Sequence, residues 1–190
     1  MNLLAVPGMW IGIVWLIWAL SWMLAAGWSN ATTVRPKLGR ELPYRLLTLI
    51  GIALLFFHRR DTAAWHTVPS VGFLGLALVL AGVGFAWWAR IHLGRLWSAS
   101  VTGKTDHHVV DTGPYALVRH PIYTGLLLAV IGTALAQGTV AGALGAALII
   151  VGTYVKARLE ENFLREQLGL RAYDAYKARV PMLVPFTRTR

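Results

Sequence analysis

Long apolar stretches alternate with short polar stretches along the whole chain. Five of the apolar stretches predict membrane-spanning helices, at about residues 6–28, 42–57, 71–89, 123–136 and 139–155. A helix of about 20 apolar residues crosses a bilayer, and the first stretch has that length without a single charge. No Lys or Arg precedes it, which argues against a signal peptide. The pattern predicts one all-α integral membrane domain over residues 1–190.

The last two apolar stretches are joined by Gln137-Gly138, which predicts a tight turn and a helical hairpin. Beyond them, charged and apolar side chains alternate with helical spacing in residues 156–190. We expect an amphipathic helix that leaves the membrane, breaks at Gly169, resumes, ends at Pro181 and lies on the membrane surface. Small residues allow helices to approach closely in lipid, and we assign that role to Gly138, Gly142, Gly145 and Gly152.

Composition and charge support lipid as the solvent. Hydrophobic residues make up 56% of the chain and charged residues 14%, whereas soluble proteins carry about 25% charged residues. The net charge is +10, and every Lys and Arg except Arg59 and Arg60 lies in the first loop (residues 31–45), the third loop (residues 90–119) or the C-terminal segment (residues 156–190). The positive-inside rule therefore places these three parts in the cytoplasm. Such cations suit anionic lipid headgroups, and no nucleic-acid-binding motif accompanies them.

Chemistry-bearing residues concentrate in one polar loop, residues 94–125. Pro121 favours an extended His120 and can open the next helix, so Arg119 and His120 would stand at a helix N-terminus, which attracts anions. Tyr115 and Tyr123 supply aromatic faces, and an acidic pair, Glu160-Glu161, follows the fifth span on the same side. Anion recognition, aromatic faces and carboxylates together meet the needs of S-adenosylmethionine, whose sulfonium is tolerated by aromatic rings.

Simpler interpretations exist for each of these features. Arg-His-Pro can be an interfacial anchor, and an acidic pair can be solvated. The isolated pair His107-His108 lacks the partners and spacing of a metal site, and the chain has no Cys, so we predict no bound metal. Gly82-Val-Gly84 lies inside an apolar stretch without a preceding strand, so we interpret it as helix packing and not as a nucleotide-binding loop.

The combined motifs resemble a known family. They are Leu93-Gly-Arg-Leu-Trp-Ser98, His107-His-Val-Val-Asp-Thr-Gly-Pro-Tyr115, Arg119-His-Pro-Ile-Tyr-Thr-Gly125, Glu160-Glu161 and Tyr176-Lys-Ala-Arg-Val-Pro181. In this order and spacing they resemble the integral membrane methyltransferases of the isoprenylcysteine carboxyl methyltransferase type, which are related to phospholipid methyltransferases. The resemblance covers about residues 94–181.

The resemblance implies a cytosol-facing pocket for S-adenosylmethionine. By position, the contacts would come from His107, Val109, Val110, Tyr115, His120, Pro121, Tyr123 and Glu160. Lys156 occupies the position at which isoprenylcysteine enzymes carry an Arg that engages the substrate carboxylate, and Lys lacks the bidentate fork of Arg. Ser100 stands where the eukaryotic enzymes carry a Gln. These two departures leave the acceptor open.

The predicted reaction is displacement of the sulfonium methyl group by a lipophilic acceptor from the bilayer, with S-adenosylhomocysteine as the product. The favoured acceptor is the carboxylate of a prenylcysteine-like molecule, held by Lys156 or Arg119. The alternatives are N-methylation of a phospholipid amine and S-methylation of a small thiol, with His107 or His120 as the base. A non-catalytic membrane protein or a transporter is the other class, although internal repeats and midplane charges are not evident. The oligomeric state stays open.

Overall fold

The computed structural model describes residues 7–27, 32–34, 38–57, 68–97, 103–104, 110–168 and 170–187. These residues form six α-helices, namely α1 (Pro7–Ala26), α2 (Leu38–Phe56), α3 (Pro69–Leu93), α4 (Pro121–Gln137), α5 (Val140–Leu168) and α6 (Leu170–Arg179). Two short strands, β1 (Thr32–Val34) and β2 (Gly103–Lys104), pair in antiparallel fashion. The predicted all-α class is confirmed, and the strand pair is an addition that the hydrophobic pattern did not indicate.

Proline and glycine set the ends of the helices near the polar loop. Pro69 and Pro121 lie at the starts of α3 and α4, where proline fits because its missing N–H is not needed there. Helix α4 ends at Gly138, which has a φ of 65°, a left-handed conformation that glycine adopts without strain. Thr139 then caps α5, since its Oγ1 accepts the Gly142 N–H at 3.0 Å. The predicted hairpin of α4 and α5 is therefore present.

Helices α3 and α4 bring their backbones into close contact through glycines. A Cβ atom at Gly75 would lie 2.5 Å from the Gly132 carbonyl oxygen, and a Cβ at Gly82 or Gly125 would collide with the carbonyl oxygen of the other residue. Small residues make such an approach possible in lipid, where packing is the main source of helix association. The interpretation of Gly82 as a packing residue is confirmed, whereas a Cβ at Gly84 would meet no atom within 4 Å, so Gly84 has no such role.

Replacing Gly125 with alanine is expected to lower the free energy of unfolding by about 1–3 kcal/mol, because the added methyl group overpacks the α3–α4 contact. The measurement is thermal or denaturant unfolding of the detergent-solubilised protein. Gly84→Ala is the matched control, since a Cβ there meets no atom within 4 Å. If Gly125→Ala unfolds no more easily than Gly84→Ala, the two helices do not pack as described.

A second close pair joins α2 to α5. A Cβ at Gly145 would lie 2.7 Å from the Gly51 carbonyl oxygen, and one at Gly152 would lie 2.7 Å from Thr48 Oγ1 and 3.1 Å from the Tyr44 carbonyl oxygen. The two helices are therefore antiparallel, and the start of α2 lies beside the polar end of α5. Gly145 and Gly152 therefore serve packing within the chain, against α2, which is not the neighbour of α5 in sequence. Gly142 instead faces Gln137 and Thr139 in the α4–α5 connection.

Three of the described helices are long and apolar enough to cross a membrane, namely Pro7–Ala26, Pro69–Leu93 and the Val140–Glu166 part of α5. Pro121–Gln137 is a shorter apolar helix, and α2 carries Arg40, Glu41 and Arg45 near its start. The chain is thus an integral membrane protein. The count of five spans stays a prediction as far as α2 and α4 are concerned.

The polar segments meet at one end of the helix bundle. Strand β1, from the first loop, pairs with β2, from the third loop, with Thr32 opposite Lys104. The third loop also contacts the C-terminal residues, since the Arg119 N–H donates to the Pro181 carbonyl oxygen at 2.8 Å. The distribution of Lys and Arg predicts this grouping of the first loop, the third loop and the C-terminal segment.

Candidate functional site

The C-terminal tail, residues 180–187, is hydrogen-bonded through residues 181–183 to the start of α4 and the two residues before it. Besides the Arg119 N–H, the His120 N–H donates to the Met182 carbonyl oxygen at 3.1 Å, and Thr124 Oγ1 donates to the Leu183 carbonyl oxygen at 2.7 Å. Backbone donors just ahead of α4, which the sequence suggested as an anion site, are therefore occupied by the tail. The tail fixes the position of the loop that carries the candidate site residues.

The guanidinium of Arg119 links the loop to both α5 and α6. Its Nε donates to Glu161 Oε1 at 2.6 Å, and one terminal nitrogen donates to the carbonyl oxygens of Lys177 and Val180. Both partners of the ion pair are buried, with side-chain exposures of 6% and 2%. Lys177 Nζ lies 3.6 Å from the second oxygen of Glu161. Arg119 is thus held by protein groups on several sides.

Tyr115 lies in the loop before α4 and is hydrogen-bonded to α6. Tyr176 donates its hydroxyl to the Tyr115 carbonyl oxygen at 2.7 Å, and the Tyr115 side chain belongs to an apolar cluster with Val110, Ile122 and Tyr123. Burial raises the pKa of both the Tyr115 and Tyr176 hydroxyls above the ordinary tyrosine value, so both stay protonated. The two tyrosines therefore act as neutral structural and hydrogen-bonding groups.

Helix α6 differs in one respect from the expectation. Its apolar residues Tyr173 and Tyr176, together with Val180, are buried against Leu164 near the end of α5. The predicted amphipathic helix is present, but its apolar face packs on protein where we expected the membrane surface. The reason is that α6 folds back onto α5, and Arg165 holds it there through hydrogen bonds of 2.7 and 2.9 Å to Asp174.

The first turn of α4 and the polar end of α5 form the centre of the candidate site. Tyr123 donates its hydroxyl to Glu160 Oε2 at 2.6 Å, and His120 Nδ1 lies 3.9 Å from the same oxygen. The His120 and Tyr123 rings are parallel, with centroids 5.3 Å apart and an angle of 4° between the planes. The structure therefore brings together two motifs that are about 40 residues apart in the sequence.

Lys156 lies between two tyrosine rings at this centre. Its Nζ is 5.2 Å from the Tyr123 ring centroid and 5.9 Å from that of Tyr44, on α2. A cation over an aromatic face is attracted by the ring electrons. Tyr44 and the neighbouring Glu41 were not among the predicted site residues, because they belong to a part of the chain that we interpreted as a polar linker and the start of a span.

Most of the predicted cofactor residues fall in one neighbourhood. His107 and Val109 lie outside the described residues, so nothing is added to those two predictions. The remaining members surround the His120–Tyr123 stack or the apolar cluster below it, and they are Val110, Tyr115, His120, Pro121, Tyr123 and Glu160. In the described part of the chain, no group of three or more His, Asp or Glu is arranged to hold a metal ion.

The arrangement combines flat aromatic faces, a half-buried carboxylate and a cation within one polar end of a membrane bundle. Aromatic faces and carboxylate oxygens stabilise a positively charged ligand group, while Lys156 favours a negative or electron-rich one. The fold and this cluster define an integral membrane protein with a candidate site for a small charged ligand at one end of its helices.

The chain belongs to the phospholipid methyltransferase family, since the family profile described as "Phospholipid methyltransferase" matches residues 71–171. This match confirms the resemblance inferred from the sequence motifs. It begins near the start of α3 and ends within α6, so it includes the whole loop and the acidic pair but leaves out α1 and α2.

Three named relatives illustrate the range of similar proteins. The cobalt-zinc-cadmium resistance protein CzcN of Cupriavidus metallidurans is 31% identical over 74% of this chain and 60% of its own length. Protein-S-isoprenylcysteine O-methyltransferase B of Arabidopsis thaliana is 31% identical over 59% and 58%, respectively. Methanethiol S-methyltransferase 1 of Bradyrhizobium diazoefficiens is 30% identical over 77% and 54%. The matches thus span less than two thirds of each of these three relatives, and the names of the Arabidopsis and Bradyrhizobium relatives are those of methyltransferases.

Proposed function

We propose that the protein transfers a methyl group from S-adenosylmethionine to a lipophilic acceptor at the membrane. The observation that carries this proposal is the hydrogen bond from Tyr123 to Glu160, together with the stacking of the His120 ring on the Tyr123 ring. Glu160 offers a carboxylate to the amino group or the ribose hydroxyls of the donor, and the stacked rings offer faces that tolerate its sulfonium. The family assignment and the names of the relatives support the same reaction class.

In this proposal the residues of the loop hold the donor, and Lys156 faces the acceptor. Val110, Tyr115 and Pro121 form the apolar side of the donor site. His107 and Val109 are proposed as further donor contacts from the sequence resemblance alone. Arg119 is a positioning residue, because its guanidinium binds Glu161 and the carbonyl oxygens of α6 and the tail. Holding donor and acceptor in line accounts for most of the rate, as expected for a reaction that depends on proximity and alignment.

Two classes of acceptor fit this function. Carboxyl methylation of a prenylcysteine-like molecule is supported by the name of the Arabidopsis relative and by Lys156, which can pair with a carboxylate. Methylation of a thiol is supported by the name of the Bradyrhizobium relative, and methylation of a lipid amine by the description of the family profile. The acceptor would reach the site from the bilayer and not from bulk water, since the surrounding helices expose mainly apolar side chains.

The test uses the full chain purified in detergent. We expect saturable binding of S-adenosylhomocysteine and transfer of label from methyl-labelled S-adenosylmethionine to at least one of prenylcysteine, phosphatidylethanolamine and an alkyl thiol. If the folded protein shows no saturable binding of S-adenosylhomocysteine, the methyltransferase function is excluded.

We also propose that the site faces the cytoplasm, because the loops and the C-terminal segment at that end carry nearly all the Lys and Arg residues. The chain contains no Cys, so a single cysteine at the exposed position Glu166 is a unique label. We expect a membrane-impermeant thiol reagent to label Glu166→Cys only in inside-out vesicles, and labelling in right-side-out vesicles would reverse the orientation.

A further inference from the structure

The first turn of α2 contains a buried carboxylate that is only partly paired. Glu41 has a side-chain exposure of 7%, and its Oε2 accepts a hydrogen bond from Arg45 at 2.5 Å. Its other oxygen, Oε1, is buried without a hydrogen-bond partner among the residues that the structure describes. A buried carboxylate oxygen without a donor is unfavourable. Glu41 therefore has an unused acceptor that a donor group of a ligand can satisfy.

The packing of α2 on α5 places this carboxylate next to the candidate site. Gly152 contacts the Tyr44 backbone, and one turn later on the same face of α5 stands Lys156, whose Nζ lies over the Tyr44 ring. Glu41 precedes Tyr44 by one turn on the same face of α2, and it interacts electrostatically with Lys156. Helix α2 thus supplies one wall of the site, although the family match does not include it.

Two anionic groups already act on Lys156 electrostatically. They are Glu160 on its own helix and Glu41 on α2, while Arg45 acts with the opposite sign. The Arg45 side chain is 46% exposed and forms an ion pair with Glu41. Its charge is therefore largely compensated by Glu41 and screened by water. A carboxylate acceptor at Lys156 would add a third anion beside one lysine, and like charges at close range repel.

We propose that Glu41 is a specificity-determining residue whose Oε1 accepts a hydrogen bond from the nucleophilic group of the methyl acceptor. It follows that the acceptor is a nucleophile that carries its own hydrogen, a thiol or an amine, and not a carboxylate. This inference rests on the proposed methyl transfer and narrows its substrate class. A site built to accept a hydrogen bond discriminates strongly against a ligand that cannot donate one.

The same contact accounts for the proton in the reaction. The lone pair of the acceptor sulfur or nitrogen forms the new bond to the methyl carbon, while the bond from that carbon to the sulfonium breaks and leaves its electron pair on the donor sulfur. The hydrogen of the acceptor leaves as a proton, for which the Glu41 carboxylate is the nearby base. The transfer therefore balances without a further reactant.

The experiment compares three ligands with the same alkyl chain, namely octanethiol, octylamine and octanoate. Each is titrated calorimetrically into the full chain saturated with S-adenosylhomocysteine in detergent. In the wild type we expect the thiol, the amine or both to bind at least about tenfold more tightly than octanoate, because a hydrogen bond to a charged group is gained in place of a repulsion. The thiol and amine titrations show which of the two nucleophiles is preferred.

The Glu41→Gln variant should weaken thiol and amine binding by about tenfold or more and strengthen octanoate binding, because the amide can donate to a carboxylate. Its affinity for S-adenosylhomocysteine should stay unchanged, as should all four affinities in the control Glu166→Gln, whose side chain is exposed on α5. If Glu41→Gln does not fold, Glu41→Asp replaces it, and that variant should keep the wild-type order of ligands with weaker binding.

Octanoate binding as tight as that of the thiol and the amine, or an unchanged order of ligands in Glu41→Gln, would overturn the role of Glu41 while leaving methyl transfer intact. The role of Glu41 would also be overturned if the protein binds S-adenosylhomocysteine but binds neither the thiol nor the amine. Loss of S-adenosylhomocysteine binding in the wild type would instead refute the proposed function.

Discussion

Replacing Glu160 with alanine is expected to weaken the binding of S-adenosylhomocysteine by about 10- to 100-fold, because hydrogen bonds to a charged group contribute about 1.5–3 kcal/mol. Glu160 is half-buried, with a side-chain exposure of 28%, so its carboxylate can reach a ligand and is only partly screened by water. Methyl transfer should fall at least as much as binding does. The measurement is calorimetric titration of the detergent-purified variant, together with the rate of label transfer.

Tyr123→Phe separates the two roles that Glu160 could have. If the carboxylate served only to accept the Tyr123 hydroxyl, with which it forms a 2.6 Å hydrogen bond, then Tyr123→Phe and Glu160→Ala would weaken binding equally. We expect Tyr123→Phe to have the smaller effect, since it leaves the carboxylate in place. Glu166→Gln, which changes an exposed carboxylate six residues further along α5, should bind like the wild type. Wild-type affinity in Glu160→Ala would show that the donor binds elsewhere.

The hydrophobic pattern predicted the order of the helices well and their ends less well. The predicted span at 139–155 ends within α5, which continues to Leu168. The predicted start of the second span at 42 falls four residues after the observed start at Leu38. Both differences have one cause. Apolar content marks the part of a helix that lies in lipid, whereas helical hydrogen bonding continues into polar residues beyond the bilayer.

The candidate site could be predicted in part, because its donor residues lie in short, dense motifs. His120, Tyr123 and Glu160 were named from the sequence, and the structure brings their side chains together. The contribution of α2 was missed, since a charged pair spaced i, i+4 at the start of a span is ordinary on an exposed helix. The available signal was the position of Glu41 and Arg45 next to an apolar stretch, where ionisable residues are costly and often functional.

The contacts of the tail could not be predicted from residue types. Carbonyl oxygens of Lys177, Val180 and Pro181 accept hydrogen bonds from Arg119, and backbone carbonyls are the same at every position of the sequence. Only the break between α5 and α6 and the return of the chain bring these oxygens to the loop. For this reason the sequence suggested Arg119 as a group that holds the acceptor, and the geometry suggests a different role for it.

Arg119→Met is expected to lower the free energy of unfolding by about 3–5 kcal/mol, the cost of breaking a buried ion pair from one side. The substitution leaves the buried Glu161 carboxylate with Lys177 Nζ at 3.6 Å and the His120 ring at 3.5 Å. It also removes the donor to the Lys177 and Val180 carbonyl oxygens. Unfolding of the detergent-solubilised protein and amide exchange of residues 176–183 are the measurements.

Arg179→Met is the matched control for this prediction. Arg179 also carries an ion pair between the C-terminal part and the loop, at 3.2 Å to Asp111, but its side chain is 67% exposed, and exposed pairs contribute at most about 1 kcal/mol. The double variant Arg119→Met/Glu161→Gln should be more stable than Arg119→Met alone, because the unpaired buried charge is gone.

These variants decide between the two roles of Arg119. If Arg119 is a positioning residue, Arg119→Met should show faster amide exchange in residues 176–183 and weaker binding of S-adenosylhomocysteine, since the tail then no longer fixes the loop. If Arg119 instead binds the acceptor, Arg119→Met should keep wild-type amide exchange and wild-type binding of S-adenosylhomocysteine, and only the KM for the acceptor should rise. The 6% exposure of the Arg119 side chain favours the first outcome, because a guanidinium that is enclosed by Glu161 and two carbonyl groups has little surface left to offer a substrate.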